Sequence, residues 1–325
     1  MFFARPRTFL LLSLVVSAVL GIFQNQLDPY YVDVLTRIGI NIILAVSLNL
    51  INGHTGQFSL GHAGFMSVGA YTAAAMTMFA GPHVLPATAP ALLTALWFLA
   101  ALLAGGIAAA AAGFLVGAPS LRLKGDYLAI VTLGFGQIIA VVFRNVEPLG
   151  GALGLNGISP YTNLFWVFAI AALTVYVITA MVNSTCGRGF IATHDDEVAA
   201  EAMGISTTRC KIVAFVIGAF FAGTAGGLYG HFTLTISPRG FDFNRSVEIV
   251  VMVIVGGMGN TLGVILAAVL LTLLPEGLRT LAGMSPSLQW IGESRPLLYS
   301  MLLISLMLLR PQGLFNFRRS ARTKT

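Results

Sequence analysis

Residues that could take part in chemistry are few in this chain, and the densest internal group of them lies in residues 183–211. That segment reads NSTCGRGFIATHDDEVAAEAMGISTTRCK, and it stands between two long apolar runs without a charged residue. Carboxylates and cations at this density can form ion pairs and hydrogen bonds with a partner that approaches from water. We therefore predict an interaction surface, whose ionisable residues are Arg188, His194, Asp195, Asp196, Glu197, Glu201, Arg209 and Lys211.

The middle of this segment has the composition of a short helix. Acidic residues open the stretch 195–203, where a helix N-terminus favours negative charge, and alanine and glutamate fill its centre. Gly204 follows at the place where a C-cap belongs. The pattern predicts a surface helix on a loop between two membrane spans.

A second polar group occupies residues 52–71, which read NGHTGQFSLGHAGFMSVGAY and open an apolar run. Glycine lowers helix stability, and a polar group at membrane depth must face protein or a pathway. One interpretation is an element of the substrate pathway or its gate, with Gly56, Gln57, Ser59, Gly61 and His62 as candidates. The other is that Gln57 and His62 only join neighbouring helices by hydrogen bonds.

Signatures of catalysis and nucleotide binding are missing from the sequence. The three lysines, Lys124, Lys211 and Lys324, stand outside any G-x-x-x-x-G-K-[ST] motif, which a phosphate loop needs. No H-E-x-x-H pair and no G-x-S-x-G elbow occurs, and the apolar runs lack dense carboxylates for an ion relay. Cys186 and Cys210 have no metal-ligand spacing. We expect a non-enzymatic protein without a cofactor or a metal site.

Membrane helices are the elements that must position these residues. Of the 325 residues 9% are charged and 57% hydrophobic, and mean hydropathy is +0.87. In lipid, apolar runs of about 20 residues satisfy their backbone as helices. We predict an all-α polytopic membrane protein of about 8 to 10 spans, with short or re-entrant segments, in a single domain over residues 1–325. The apolar runs cover residues 9–23, 32–51, 58–80, 91–117, 127–143, 163–182, 212–231, 247–257, 262–274 and 296–309.

Basic residues indicate how the spans are oriented. They lie at the ends of apolar runs, so membrane orientation explains the net charge of +6 better than nucleic-acid binding does. With a cytoplasmic N-terminus, ten spans return the C-terminus to the same side, and the loop of residues 184–210 lies in the cytoplasm. Twelve of the eighteen basic residues then fall inside, as the positive-inside rule requires. These are Arg5, Arg7, Arg122, Lys124, Arg188, Arg209, Lys211, Arg310, Arg318, Arg319, Arg322 and Lys324.

The eighth and ninth runs are shorter than a span. Residues 251–261, which include VGGMGN, could form a broken or re-entrant helix instead of parts of two crossings. A re-entrant hairpin changes the span count by two and leaves the orientation unchanged. The preceding segment SPRGFDFNRSVE is predicted to be an outer loop, which either receives a soluble donor protein or forms a solvated turn.

Two runs carry a small residue at every fourth position. Residues four apart share one helix face, and a row of small residues lets another helix approach closely. Tight packing inside one bundle is the simpler interpretation, and sliding of helices during gating is the other. The rows are Ala101, Gly105, Ala109, Gly113 and Gly117, and then Ala214, Gly218, Ala222, Gly226 and Gly230.

Seven strings along the chain resemble one family, the inner-membrane permease subunits of ABC importers for branched-chain amino acids. They follow the family order over most of the chain. The mixture of features is most similar to the member of the permease pair with the longer N-terminal region. The strings are GQFSLGHAGFMSVGAYTAA from Gly56, LRLKGDYLAIVTLGFGQII from Leu121, GLNGIS from Gly154, HDDEVAAEAMGI from His194, KIVAFVIGAFFAGTAGGLYG from Lys211, VGGMGN from Val255 and LLRPQGLF from Leu308.

The resemblance implies a set of partners. Such permeases form a heterodimer of two related subunits in the bacterial inner membrane. They work with two cytoplasmic ATP-binding subunits and a periplasmic substrate-binding protein. The resemblance therefore implies that this chain forms a translocation pathway for branched-chain or other hydrophobic amino acids and has no ATPase site of its own.

The resemblance also implies how the partner ATPase is engaged. Relatives carry an E-A-A-x-x-x-G helix that docks in a cleft of the ATPase. Here Glu197, Ala199, Ala200 and Gly204 give E-x-A-A-x-x-x-G, with one residue inserted and without the I-x-L-P tail of the broader importer pattern. We expect this helix to couple ATP hydrolysis to transport through Asp195, Asp196, Glu197, Ala199, Ala200, Glu201 and Gly204.

Two other functions are compatible with parts of the sequence. Permeases of urea or short-amide importers are nearly the same in this family, so such a substrate is one alternative. A secondary carrier that works alone is the alternative from another class. Arg37 and His62 near membrane spans favour a carrier, and the scarcity of intramembrane acids argues against it.

Overall fold

Helices dominate the structure, a computed structural model that describes residues 6–86, 90–120, 126–283, 300–301, 304–305 and 313–314. Two short strands, β1 (Leu155–Asn156) and β2 (Thr235–Ile236), pair antiparallel. The predicted all-α membrane fold is confirmed. The α-helices are α1 (Pro6–Phe23), α2 (Pro29–Asn49), α3 (His62–Ala75), α4 (Gly81–Val84), α5 (Ala91–Ser120), α6 (Asp126–Asn145), α7 (Leu164–Val182), α8 (Thr185–Asp195), α9 (Glu197–Ala202), α10 (Thr207–Thr233), α11 (Phe243–Gly256) and α12 (Thr261–Gly283).

Seven helical segments within the described residues are long and apolar enough to cross a membrane. A shorter apolar helix, Leu10–Phe23, corresponds to the predicted first run. The predicted last run, 296–309, falls largely outside the described residues. The seven are Pro29–His54, His62–Val84, Ala91–Ser120, Tyr127–Asn145, Leu164–Val182, Thr207–Thr233 and Thr261–Thr280.

The predicted eighth and ninth runs form a helical hairpin. Helix α11 has 14 residues, and a helix of that length, about 21 Å, does not cross a hydrocarbon core of about 30 Å. Helix α12 has 23 residues, so the expectation of a short ninth run was wrong. Gly257 and Gly259 make the turn between them with φ of 90° and 80°, which favours glycine at both positions. Helix α11 is therefore too short to span alone, and its re-entry stays a prediction.

The predicted outer loop around residues 237–248 is mostly helical. A 3₁₀ turn covers Pro238–Phe241, and α11 follows immediately. The Asp242 carboxylate caps α11 by accepting a hydrogen bond from the Arg245 amide at 3.3 Å. Arg245 and Glu248 consequently lie on a helix and not on a solvated loop.

Helices α2, α3 and α10 form the centre of the bundle. In the most apolar stretch of each segment, the share of residues that are buried is 89% for α2, 67% for α10 and 61% for α3. For α6 this share is 22%. Helix α10 packs against α3 and α5, and α2 packs against α7, α10 and α12. The most polar run, residues 52–62, thus lies between the most buried helices.

Glycines bring α3, α5 and α10 into backbone contact. A Cβ atom added to Gly69 would overlap the backbone of Gly223, and one added to Gly226 would overlap the carbonyl oxygen of Met66. One added to Gly105 would lie 2.7 Å from the carbonyl oxygen of Gly69. The predicted rows of small residues therefore serve tight packing. The sequence reading missed a second row on α10, namely Ala219, Gly223 and Gly227, which faces α5 and α3.

The bundle has two distinguishable ends. Helices α8 and α9 lie between α7 and α10 at one end, which we call the loop end, and the β1–β2 pair lies at the other, which we call the strand end. Helix α2 runs from the strand end to the loop end. The turn of residues 257–260 lies beside the last turn of α2, since the Gly259 amide donates to Asn49 Oδ1 at 2.9 Å.

Candidate functional site

Helix α9 is shorter than the predicted helix 195–203. It begins at Glu197, because the Asp196 carboxylate accepts hydrogen bonds from the amides of Val198 and Ala199 at 2.9 and 3.0 Å and so forms the N-cap. Asp195 is instead the last residue of α8. The predicted single helix is therefore two helices that meet at a capped junction.

The C-terminal end of α9 is a Schellman motif. The Gly204 amide donates to the Glu201 carbonyl at 2.9 Å, and the Ile205 amide donates to the Ala200 carbonyl at 3.0 Å. Gly204 has φ of 81°, a left-handed conformation that suits glycine. This geometry agrees with the predicted C-cap.

Two polar contacts hold α9 against the first turn of α10. Glu197 Oε1 lies 2.8 Å from Lys211 Nζ, and the Lys211 side chain is 2% exposed while that of Glu197 is 26% exposed. Glu201 Oε1 accepts a hydrogen bond from Thr207 Oγ1 at 2.6 Å. The sequence marked Lys211 as ionisable but did not reveal it as the buried anchor of α9.

The outward face of α9 is largely apolar. Val198 is 69% exposed and Met203 is 82% exposed, and Ala199 is exposed beside them. Asp196, Glu197 and Glu201 use their carboxylates for contacts within the chain, whereas Asp195 is exposed at the end of α8. This end of the molecule therefore offers a small apolar surface with a carboxylate at its edge.

The loop end touches the predicted gate segment through Gly56. Gly56 has φ of 67°, and a Cβ atom added to it would lie 2.6 Å from Nδ1 of His194 on α8. His54, at the end of a π-helical turn Leu50–His54 that follows α2, is buried close by. The structure thus brings together His194 and Gly56, which are distant in sequence and which the sequence assigned to two separate groups.

Residues 55–61 form a non-helical connection between the π-helical turn and α3. We call them the gate segment. The Gln57 amide donates to the Ile51 carbonyl at 3.0 Å, the Ser59 amide to Asn52 Oδ1 at 3.2 Å and the Leu60 amide to Thr132 Oγ1 at 3.1 Å. Irregular backbone inside a bundle needs such partners. The predicted span that begins at residue 58 therefore starts only at His62.

His62 is the residue that joins two helices. Its Nε2 lies 2.9 Å from Ser47 Oγ on α2, and its side chain is fully buried. Gln57 differs, since its Nε2 donates to the nearby Thr55 carbonyl at 3.1 Å. Gly61 stands against α6, where an added Cβ atom would lie 2.5 Å from the Thr132 carbonyl oxygen. The hydrogen-bonding interpretation holds for His62.

Buried amides at the end of α2 and in the π-helical turn after it complete this region and were missed from the sequence. Asn49 and Asn52 use their Oδ1 atoms to hold the 257–260 turn and the gate segment, respectively. Their Nδ2 atoms, and Nδ1 of His62, are buried without a hydrogen-bond partner among the described residues. Asparagines inside the apolar run 32–51 and directly after it were the available signal.

The arrangement suits mechanical linkage better than catalysis. Three elements, α9 with α8, the gate segment and the hairpin turn of residues 257–260, meet at the loop end of α2 through His194, Gly56, Asn49 and Asn52. Within the described residues, no group of three or more histidine, cysteine, aspartate or glutamate side chains is placed to hold a metal ion.

Comparisons with known proteins place the chain in a family. The family model described as "Branched-chain amino acid transport system / permease component" matches residues 30–310. The high-affinity branched-chain amino acid transport system permease protein LivM of Salmonella typhimurium is 34% identical over 344 aligned positions, which cover 95% of this chain and 75% of the relative. The probable LivM permease of Methanocaldococcus jannaschii is 28% identical over 64% of this chain and 66% of its own.

A second type of permease matches over a shorter stretch. LivH of Salmonella typhimurium is 31% identical over 111 positions, about a third of each chain. No solved structure matches the chain. The long match with LivM confirms the resemblance to the larger permease of the pair. The chain is a multi-pass membrane transport subunit, and it belongs to the family of branched-chain amino acid transport system permease components.

Proposed function

We propose that this chain is one permease subunit of an ATP-driven importer that carries branched-chain or other hydrophobic amino acids across the bacterial inner membrane. Its family and the branched-chain amino acid permeases among its relatives support this function. The partial match with LivH supports a second, homologous permease as partner. Two cytoplasmic ATPase subunits and a periplasmic substrate-binding protein complete the proposed complex.

We propose that the loop end faces the cytoplasm and the strand end the periplasm. Starting from a cytoplasmic N-terminus, α1, α2, α3, α5, α6, α7 and α10 are seven successive segments, and the last of them ends outside. Helix α11 then runs from the outside into the membrane toward the loop end, and α12 runs back toward the outside. The Leu314 amide donates to the Val255 carbonyl at 2.7 Å, so the chain comes back to the hairpin turn near its end. Cytoplasmic termini follow, as the positive-inside rule also requires.

A single observation carries the coupling function. Helix α9 is fixed to the base of α10 by a buried ion pair, and the neighbouring His194 contacts the gate segment at Gly56. A partner that pulls on α9 must therefore displace both α10 and the gate segment. Closure of ATP-bound ATPase subunits can drive alternating access through such a lever.

We propose a division of labour within the coupling motif. Asp196, Glu197, Glu201 and Gly204 shape and anchor α9, while Asp195 and the exposed Val198 and Met203 touch the ATPase. The two predicted alanine contacts divide in the same way. Ala199 is exposed and touches the ATPase, whereas Ala200 is buried and helps to anchor α9. Apolar anchors of this kind dominate the energetics of protein interfaces.

The test uses the complete complex in proteoliposomes, with leucine uptake and ATP hydrolysis measured together. Val198→Asp and Met203→Asp place charge on the docking face without disturbing a buried contact. We expect uptake to be lost and ATP hydrolysis to become independent of the binding protein. Leu153→Asp, on an 86% exposed side chain at the strand end, is the matched control and should leave both activities unchanged. Replacing Glu197 or Gly204 should also uncouple the two activities without preventing membrane insertion.

Two outcomes would contradict the proposal. Uptake that continues when the ATPase subunits are omitted would identify a secondary carrier. Normal coupled uptake in both charged variants would remove α9 from the coupling path. Replacing leucine by urea or a short amide in the same assay tests the alternative substrate class.

A further inference from the structure

A charged cavity lies on the strand-end side of the gate segment, and none of the functions above uses it. It has a volume of about 260 Å³ and lies between α2, α10, α11 and α12. That volume is slightly below the range of about 300–1,000 Å³ that is typical for drug-sized ligands, so the cavity suits a small solute. Its polar lining comes from Arg37, Asn41, Tyr229, Arg245, Glu248 and Thr272.

A continuous set of hydrogen bonds fixes the cavity wall. Arg245 Nη1 donates to Glu248 Oε2 and Arg245 Nη2 donates to Asn41 Oδ1, both at 2.8 Å. Asn41 Nδ2 in turn donates to Thr272 Oγ1 at 2.8 Å. Three helices are therefore joined through one arginine. The second cation, Arg37, pairs with Asp33 at 2.8 Å and lies over the ring of Phe232.

These charges lie at membrane depth. Asn41, which binds Arg245, is the thirteenth residue of the 26-residue span Pro29–His54, about 18 Å along the helix from Pro29. Glu248 is one turn further along α11, toward the hairpin turn. Its side chain is 48% exposed, and that of Arg37 is 50% exposed.

Exposed charges at this depth exclude a lipid-facing position. A charged side chain near the centre of a bilayer costs about 2.5–3.5 kcal/mol or more on insertion scales, and such residues face a water-filled passage or another protein. Because Arg37 and Glu248 are each about half exposed in the isolated chain, the cavity opens onto that passage or partner and not onto acyl chains.

We propose that this cavity binds the zwitterionic head of an amino acid during transport. The inference rests on the proposed import function and assigns it a substrate site. Arg37 and Arg245 donate to the substrate carboxylate, and Glu248 accepts from the ammonium group. Asn41 and Thr272 hold Arg245 in place, as positioning residues. Ile40, also in the lining, offers apolar surface to a hydrophobic side chain.

The charge pattern selects a zwitterion over a neutral amide. Arginine forks bind carboxylates in two-point geometry, and a buried carboxylate needs a cationic partner. A urea molecule can hydrogen-bond to the cation and the carboxylate of the cavity but has no charge to pair with either, so its contacts are weaker than those of a zwitterion. The lining carries Arg37, Arg245 and Glu248, and Asp33 pairs with Arg37 at 2.8 Å, so two arginines and two carboxylates meet the two charges of a zwitterion.

The first experiment neutralises the proposed ammonium acceptor in the reconstituted complex. Glu248→Gln keeps the size of the side chain and the Arg245–Asn41 bond. We expect radiolabelled leucine uptake to fall about tenfold or more, the factor produced by loss of one charge-assisted hydrogen bond. Arg279→Gln is the matched control. It neutralises an exposed i,i+3 partner of Glu276 on α12, outside the cavity, and should retain wild-type uptake.

The second experiment separates binding from a structural ion pair. The double variant Arg245→Glu with Glu248→Arg restores an ion pair of reversed polarity, so a merely structural role predicts recovery of uptake. Substrate binding predicts that uptake stays low while the assembled complex elutes as the wild type does. Should this double variant fail to assemble, the comparison of Glu248→Gln with Arg279→Gln decides.

Each result has one consequence. Wild-type uptake in Glu248→Gln, or recovery in the reversed pair, overturns the site while leaving the import function intact. Separation of the two permeases in Glu248→Gln shows that the face is a subunit interface and also overturns the site. Absence of leucine uptake by the wild-type complex contradicts the import function itself.

Discussion

Two neighbouring regions of the bundle solve the problem of close helix packing in opposite ways. In the glycine contact, formed by Gly69, Gly105, Gly223 and Gly226, backbones touch and no side chain intervenes. In the polar seam, formed by residues 47–62 and the turn 257–260, buried polar side chains also join the segments by hydrogen bonds. Both regions share helix α3, whose first residues belong to the seam and whose middle belongs to the glycine contact.

The difference indicates which region moves. Backbone contact leaves little freedom, because any shift of the helices would produce overlap. The polar seam contains buried donors without partners, Asn49 Nδ2 and Asn52 Nδ2, among the described residues. Such groups raise the energy of this conformation, and a rearrangement that supplies partners is favourable. We therefore expect the glycine contact to be the fixed half of the permease and the polar seam to be the half that changes during transport.

The largest expected effect comes from adding one methyl group to the glycine contact. Gly69→Ala places a Cβ atom inside the backbone of Gly223, where no flexible side chain can yield. We expect a loss of at least about 3 kcal/mol of unfolding free energy, at the upper end for overpacking. Denaturant titration of the protein in detergent micelles measures this loss.

The control for this variant is Gly134→Ala on α6. Among the described residues no atom of another element lies within 4 Å of a Cβ added there, so the substitution should stabilise the helix by up to about 1 kcal/mol. Equal stability of the two variants would show that α3 and α10 separate easily. The glycine contact would then not be the fixed half.

A second prediction concerns the joint between α9 and the base of α10. Glu197→Gln leaves the buried Lys211 ammonium without its carboxylate, and removing one partner of a buried ion pair costs about 3 kcal/mol or more. Lys211→Met should cost less, because the Glu197 carboxylate is a quarter exposed and can reach water. Unfolding titrations of both variants and of the double variant form a thermodynamic cycle. Equal costs for the two single variants would indicate that water already screens the pair.

The sequence predicts the glycine contact better than the polar seam. Period-four rows of glycine and alanine locate the packed faces of α5 and α10, because a helix repeats its face every four residues. Long apolar runs locate the spans, because the length of an apolar run can also be read from the local sequence alone. The row that contains Gly223 was missed, since α10 is surrounded by helices on two faces and a single periodic row cannot show both.

Tertiary contacts explain what the sequence did not reveal about the candidate site. Composition pointed to residues 195–204 and 56–62, but nothing local indicates that His194 meets Gly56 or that Lys211 anchors Glu197. The capped break after Asp195 was also missed, because several acidic residues in a row offer equally good caps. The short α11 was recognisable as an irregularity from VGGMGN, whereas the full length of α12 depended on its packing against α2.

A third prediction tests the seam with a smaller change. Ser47→Ala removes the hydroxyl that lies 2.9 Å from the fully buried His62 Nε2 and leaves that nitrogen only the Leu44 carbonyl, which should cost about 1 kcal/mol, the net value of one hydrogen bond. Ser67→Ala is the control, because the Ser67 hydroxyl bonds only the Gly64 carbonyl of its own helix. Because Ser67 is also buried, this variant controls for loss of a buried hydroxyl, and it should cost less than Ser47→Ala. If both variants unfold alike, the His62 bond does not hold α2 to α3.

The smallest expected effect on stability distinguishes the backbone strain at Gly56 from its contact with His194. Both Gly56 and Gly204 have left-handed backbones, and an alanine in that conformation costs about 1–2 kcal/mol. A Cβ atom added to Gly204 has no neighbour within 4 Å in the part of the chain that the structure describes, so Gly204→Ala measures the backbone cost alone. Gly56→Ala adds a methyl group 2.6 Å from His194 Nδ1, and the difference between the two unfolding free energies measures that contact.

Removing the His194 ring tests whether it causes the difference between the unfolding free energies of Gly56→Ala and Gly204→Ala. In the double variant Gly56→Ala with His194→Ala, the loss of unfolding free energy should approach that of Gly204→Ala, since only the backbone cost remains. Leucine uptake per ATP hydrolysed should stay reduced, because the contact between α8 and the gate segment is gone. If leucine uptake per ATP hydrolysed equals that of the wild type, the polar seam is coupled to the ATPase through another contact. The most direct candidate is the ion pair between Glu197 and Lys211.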